Sequence, residues 1–162
     1  MFYLTGGTAL AEFYLGHRKS FDLDIFTTEK ELIIPFSYAF EQELKKIFLV
    51  KVVRRYETFV EFEVSAKGDS TKVRLAYDSP FRFENPVDSD IGVKVNDYTD
   101  LIVDKLLAFF GRAEPRDAID LFFILKKRIS GRLWNSQNKK TLDLIYIGSL
   151  SLFIKSKTSQ MI

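Results

Sequence analysis

Two neighbouring stretches decide how this chain is read: Leu4-Thr5-Gly6-Gly7-Thr8-Ala9-Leu10 and, a short segment later, Arg18-Lys19-Ser20-Phe21-Asp22-Leu23-Asp24-Ile25-Phe26. From Phe21 to Phe26 acidic and apolar residues alternate. That is the period of a strand, with Asp22 and Asp24 on one face and Leu23 and Ile25 on the other. The Gly-Gly pair with Thr8 stands before helix formers whose apolar residues fall at Leu10, Phe13 and Tyr14, and Gly16 closes the run. This predicts a loop opening a short helix over Thr8 to Gly16.

Phosphoryl and nucleotidyl transfer need backbone donors around a polyphosphate and clustered carboxylates for a divalent metal. Gly6 and Gly7 let the backbone approach an anion, and Thr8 adds a hydroxyl at the positive end of the helix. Asp22 and Asp24 project to the same side, close enough to share one or two magnesium ions, which favour oxygen ligands. Arg18 and Ser20 are placed to steady phosphates or orient the carboxylates. Either motif alone is weak, since Asp-x-Asp occurs in many turns and surface strands. The plain reading, a glycine-containing helix start beside an acidic edge strand, strains because Asp is depleted in strands and two on one face repel without a cation.

Working outward, a helix is predicted after Pro35 to about Ile47. Three β-rich runs follow, Phe48 to Arg54, Thr58 to Val64 and Lys72 to Tyr77, with Lys67-Gly68-Asp69 as the turn between the last two. After a loop from Pro80 to Pro86 and Gly92, helices are predicted from Thr99 to Phe110 and from Pro115 onward. The fold class expected is α+β with α/β character, a short mixed sheet packed by helices. The expected division is a sheet-bearing catalytic core over residues 1–90 and a helical part over residues 91–162 that closes the cleft, or one continuous domain. In the helical part Lys105 lies among Leu101, Leu106, Leu107 and Ala108, where its ammonium can meet a phosphate, neutralise carboxylates, or simply snorkel to water. Asp117 sits in the first turn after Pro115, and Arg116 with Asp120 has the spacing of a helical ion pair.

Composition narrows the chemistry further. The 162 residues are 46% hydrophobic and include sixteen Phe, enough for a core. The absence of cysteine excludes disulfides, thiolate zinc and Cys nucleophiles, leaving hard-metal chemistry. His17 is the only histidine and is given no role. A net charge of +2 permits a nucleic-acid partner without requiring one. The basic pairs Lys45-Lys46, Arg54-Arg55 and Lys139-Lys140, with Lys126-Lys127-Arg128, are read as solvated faces from which a subset could track RNA. Trp134 and Tyr146 are expected to close a core rather than stack on a base. No apolar run reaches the roughly 20 residues of a membrane span, and Met1 to Thr5 has no basic n-region, so a soluble cytoplasmic protein is expected. The Gly-Gly loop so near Met1 and the less regular stretch after Trp134 are read as signs of a shortened chain.

Taken whole, Leu4 to Phe26 resembles the first motif of the AbiEii/AbiGii nucleotidyltransferase-like toxins, a branch of the DNA polymerase β-type nucleotidyltransferase superfamily, through Gly-Gly-Thr-Ala-Leu followed by Arg-x-Ser-x-Asp-Leu-Asp. A later motif is similar to Asp100-Leu-Ile-Val-Asp-Lys-Leu-Leu-Ala108 with Arg112-Ala-Glu-Pro-Arg-Asp-Ala-Ile-Asp-Leu121. The resemblance spans roughly Tyr3 to Leu125. It implies that Lys105 and Asp117 complete the site begun by Asp22 and Asp24, and that a nucleoside triphosphate binds with magnesium. It also implies an RNA acceptor such as tRNA and a cognate antitoxin as partner, within a toxin–antitoxin or abortive-infection system. The expected reaction is in-line attack on the α-phosphate with two magnesium ions held by the carboxylates.

The departure is in the third carboxylate. In Lys72-Val-Arg-Leu-Ala-Tyr-Asp78 the position where relatives place an acid reads Arg74. Asp78, Glu61 and Glu63 are the remaining candidates, with Asp78 expected on the same face by alternation. That departure and the short ends keep open a truncated or impaired remnant that only binds nucleotide or antitoxin, and phosphotransfer to a protein is a further alternative.

Overall fold

The computed structural model describes residues 1–112 and 114–130. These divide into two compact units, the first Met1–Leu101 and the second beginning at Ile102. The readings made above for Trp134, Lys139-Lys140 and Tyr146 lie outside the described residues.

In the first unit, β1 (Phe2–Thr5) runs directly into α1 (Gly6–Ala9), which continues as a π-helical segment, Leu10–Leu15. The bond from the Gly16 N–H to the Ala11 carbonyl, 2.7 Å, spans five residues, and Gly16 ends the helix as expected. Then come β2 (Leu23–Thr27), a single 3₁₀ turn (Lys30–Leu32), α2 (Ile33–Lys45), β3 (Leu49–Tyr56), β4 (Phe59–Ala66), β5 (Asp69–Tyr77) and β6 (Lys94–Val95). Pro35 falls within the first turn of α2, where its missing N–H has no intrahelical partner to lose. The β4–β5 connection is the two-residue loop Lys67-Gly68, both with positive φ, 51° and 93°, which is the turn whose twist suits a hairpin.

The six strands form one mixed sheet in the order β3-β4-β5-β2-β1-β6. The β2–β5 and β1–β6 pairs are parallel, and β1–β2, β3–β4 and β4–β5 are antiparallel. Register carries the period-two pattern across the sheet. Leu23 faces Val73, which faces Phe62, and Ile25 faces Leu75, which faces Val60. These residues make the core with Ile33, Phe36, Phe40 and Leu44 of α2. Phe36 stacks on Phe2 at 4.0 Å and on Phe40 at 5.5 Å between ring centres, so one helix face of aromatic residues covers one sheet face. The alternate positions, Asp24, Arg74 and Glu61, stand in a row on the opposite face.

Two strands, β1 and β6, are absent from the sequence reading. Tyr3, Leu4 and Thr5 are all buried, so β1 shows no alternation of apolar and polar residues to reveal it. β6 has only two residues and is held by its neighbours' backbone. In the second unit α3 (Tyr98–Arg112, which starts four residues before the division) and α4 (Pro115–Ser130) follow the expected helices closely.

Candidate active site

The glycine bend and the acidic strand lie side by side, Thr5 being the register partner of Asp24. Gly6 has φ +72°, and a Cβ there would lie 2.5 Å from Asp24 Oδ2. A Cβ on Gly7 would lie 2.5 Å from Arg18 Nη2. Both glycines are thus needed for close approach, Gly6 to the aspartate and Gly7 to the arginine. The buried Thr8 hydroxyl hydrogen-bonds the Asp22 carbonyl and lies 2.9 Å from Ser20 Oγ. Thr8 and Ser20 therefore tie the start of α1 to the residues leading into β2, which locks the spacing between bend and carboxylates.

Arg74 stands at the centre of the polar face. Its Nε lies 2.9 Å from Glu61 Oε2, Nη1 3.2 Å from Asp24 Oδ1 and Nη2 3.3 Å from Asp22 Oδ2. Asp24, Arg74 and Glu61 are register partners on β2, β5 and β4, so the sheet itself brings them together. Burial pushes against the charge on Arg74, but its bonds to Glu61 and Asp24 outweigh this and hold it above its ordinary value, so the guanidinium stays charged. Glu61 is nearly buried, while Asp22 and Asp24 keep 33% and 24% of their side-chain surface open to solvent.

Each aspartate gives one oxygen to Arg74. Among the described residues the other two, Asp22 Oδ1 and Asp24 Oδ2, accept no hydrogen bond. Two open carboxylate oxygens fit magnesium, which binds through one or two carboxylates and completes its shell with water and substrate phosphate. No group of three or more His, Cys, Asp or Glu among the described residues is disposed to hold a metal, so a cage made of protein ligands alone does not form there.

The remaining candidates for a third carboxylate go elsewhere. Asp78 lies just past the end of β5, four residues from Arg74, about 13 Å at strand rise. It accepts from the Tyr3 hydroxyl at 2.5 Å, from Arg82 Nη2 at 2.9 Å and from the Ser79 N–H at 2.8 Å. Burial raises its pKa, the Ser79 bond opposes this and the charge of Asp100 adds to it. Arg82 also bonds the Tyr3 hydroxyl and Asn96 Oδ1, and lies over the Tyr3 ring at 4.0 Å. This knot, absent from the sequence reading, ties the loop after β5 onto β1. Its only sequence signal is the four-residue spacing of Asp78 and Arg82. Glu63 is in register with Lys72 and Lys51, two positions along the row from Glu61.

Within the second unit Lys105 neither snorkels nor stands alone. It is 5% exposed, with its ammonium 3.1 Å from Asp117 Oδ1 and 2.7 Å from Asp120 Oδ2, and both aspartates are fully buried. Arg112 donates to both Asp117 oxygens at 2.8 and 3.1 Å. Burial raises the Asp117 pKa, but the bonds from Arg112 and Lys105 outweigh it and the net shift is downward. The helical pair expected between Arg116 and Asp120 gives way to a better one. Arg116 bonds Glu114 at 2.8 Å, and Asp120, turned inward, answers the buried ammonium. Asp120 is thus a partner of Lys105 that helical spacing alone assigned elsewhere.

Comparisons with known proteins bear on the fold and the family. A curated relative from Aquifex aeolicus (strain VF5), an uncharacterized protein, is 32% identical over 129 residues, which are 78% of this chain and 58% of that protein. A crystal structure of a provisionally assigned nucleotidyltransferase from H. pylori superposes with a TM-score of 0.62 at 23% identity, over 77% of this chain and 60% of that one. MenT4, a nucleotidyltransferase toxin from Mycobacterium tuberculosis, does so with a TM-score of 0.54 at 19% identity, over 82% of this chain and 54% of that one. The chain spans three-fifths or less of the length of these proteins. The likeness to the solved structures establishes the nucleotidyltransferase fold. The family described as "Nucleotidyl transferase AbiEii toxin, Type IV TA system" matches residues 1–143, and with the glycine bend, the Asp22/Asp24 pair and the sheet register described above, the chain belongs to that family.

Proposed function

We propose that this chain carries out magnesium-dependent transfer of a nucleotide from a nucleoside triphosphate to an acceptor, the end of an RNA such as tRNA, as the toxin of a toxin–antitoxin pair. The observation that carries the reading is the pair of open carboxylate oxygens on Asp22 and Asp24, just before and within β2, set against a glycine bend whose Cβ-free backbone leaves Asp24 room. Magnesium, when bound, supplies positive charge to the phosphate oxygens during displacement. Asp22 and Asp24 hold that charge, and Gly6 and Gly7 let a polyphosphate approach the start of α1. Arg18, beside Gly7, is assigned to the phosphates, while Thr8 and Ser20 act by holding the bend and the strand together. Lys105 and Asp117 are retained as participants on the strength of the family motif. A cognate antitoxin is the proposed protein partner. Among the described residues no helix is long and apolar enough to cross a membrane.

The test is incubation of the chain with magnesium, each α-labelled triphosphate and total tRNA. We expect label on RNA with one triphosphate preferred, and a loss of roughly a hundredfold or more in Asp22→Asn and Asp24→Asn. Absence of both triphosphate binding and label transfer in the unaltered protein overturns the reading. Arg74, sitting among the carboxylates, favours one second reading, a chain that binds nucleotide without turning it over. Binding without transfer is its signature. Transfer of a γ-label to protein instead would indicate a kinase-like reaction.

A further inference from the structure

The charge balance around Arg74 limits how many divalent ions the site can take. Three carboxylates, Asp22, Asp24 and Glu61, converge on one guanidinium at 2.9 to 3.3 Å. Their sum leaves two negative charges, the charge of a single divalent ion. The geometry agrees with the charge. Arg74 occupies one oxygen of each aspartate, and it takes Glu61 Oε2, so Glu61 is held by a cation that cannot leave. An arginine does not lose its proton in proteins, so no change of pH vacates the position.

We infer that Arg74 is a resident cation in this site: it fills one of the two cation positions that nucleotidyl transfer commonly uses, so the chain recruits one divalent ion instead of two. The inference rests on the nucleotidyltransferase reading and deepens it. Arg74 is a positioning residue for the carboxylates, and its guanidinium orients Asp22 and Asp24 so that Oδ1 of the first and Oδ2 of the second remain for the incoming ion. Arginine suits this role better than lysine because its planar fork bonds three carboxylates at once, where an ammonium is a point charge. The row Asp24, Arg74, Glu61 is set by strand register, so the resident charge is placed by the fold and not by ligand.

The experiment is a count of bound Mn²⁺ by electron paramagnetic resonance on the full 162-residue chain, with a saturating non-hydrolysable nucleoside triphosphate. One ion per chain is expected in the unaltered protein and two in Arg74→Glu. The neutral variant Arg74→Gln should bind Mn²⁺ roughly tenfold more tightly than the unaltered protein, because a positive charge beside the ion has been removed. Circular dichroism with and without Mn²⁺ establishes which variants fold, and a variant that folds only with Mn²⁺ also supports the inference. Two ions in the unaltered protein overturn it, even if neither variant folds. Unchanged count and affinity in the variants overturn it too, while leaving the nucleotidyltransferase reading intact. No Mn²⁺ and no triphosphate bound by any of the three overturns both.

Discussion

Asp24 meets two neighbours with opposite demands. Arg74 draws one of its oxygens into the sheet's polar row, while the bare Cα of Gly6 leaves the other open. Gly6 is held at φ +72°, a conformation that L side chains adopt only at a cost, and its missing Cβ is the space beside Asp24 Oδ2. Gly6→Ala is therefore expected to lower stability by about 1–3 kcal/mol, measured by chemical denaturation, from backbone strain and displacement of Asp24 together. The displaced carboxylate should also weaken magnesium-dependent nucleotide binding. If Gly6→Ala kept both properties of the unaltered protein, the bend would not be the constraint described here. The Gly-Gly pair and Asp-x-Asp were legible in sequence because each has a local signature. That Thr8 spends its hydroxyl on the Asp22 carbonyl, and that Arg74 reaches three carboxylates, depends on contacts 13 to 52 residues apart.

At the scale of elements, α3 and α4 hold Lys105, Asp117 and Asp120 in a buried network capped by Arg112. The Asp117 pKa is depressed in the folded state, so its contribution to stability is present above the ordinary aspartate value, about 3.9, and fades as pH falls from there toward the lower folded value. Asp117→Asn is accordingly expected to cost about 3 kcal/mol at pH 7, since it removes the buried carboxylate that Lys105 and Arg112 share. The gap to the unaltered protein should narrow progressively below pH 4. Denaturation curves at a series of pH values test this, and a gap that did not change between pH 7 and pH 3 would contradict the assignment. Helical periodicity located both helices to within about two residues. It paired Asp120 with Arg116 because spacing on one helix is visible in sequence, whereas the inward turn toward Lys105 belongs to the packing of two helices. The sheet tells the same story: β2 to β5 were legible by alternation, and β1, buried at three successive residues, was not.

For the molecule as a whole, ligand that binds only the folded state raises its stability by about 2.7 kcal/mol at a hundred times its Kd. Magnesium with the preferred triphosphate should therefore raise Tm by a few degrees, and triphosphate in EDTA by much less. Equal shifts with and without magnesium would count against a metal-assisted site. The fold class, the exclusion of disulfide and thiolate chemistry by a cysteine-free composition, and the likeness carried by Leu4 to Phe26 were determined by the amino-acid sequence itself, because alternation, helical spacing and glycine placement are local properties. Only the tertiary structure decided which acids stand together. Strand register brought Asp24, Arg74 and Glu61 into one row, and set Asp78 with Tyr3 and Arg82 instead. Register is a relation between distant strands, fixed by burying Leu23, Ile25, Val60, Phe62, Val73 and Leu75 on a common face, and no single segment contains it.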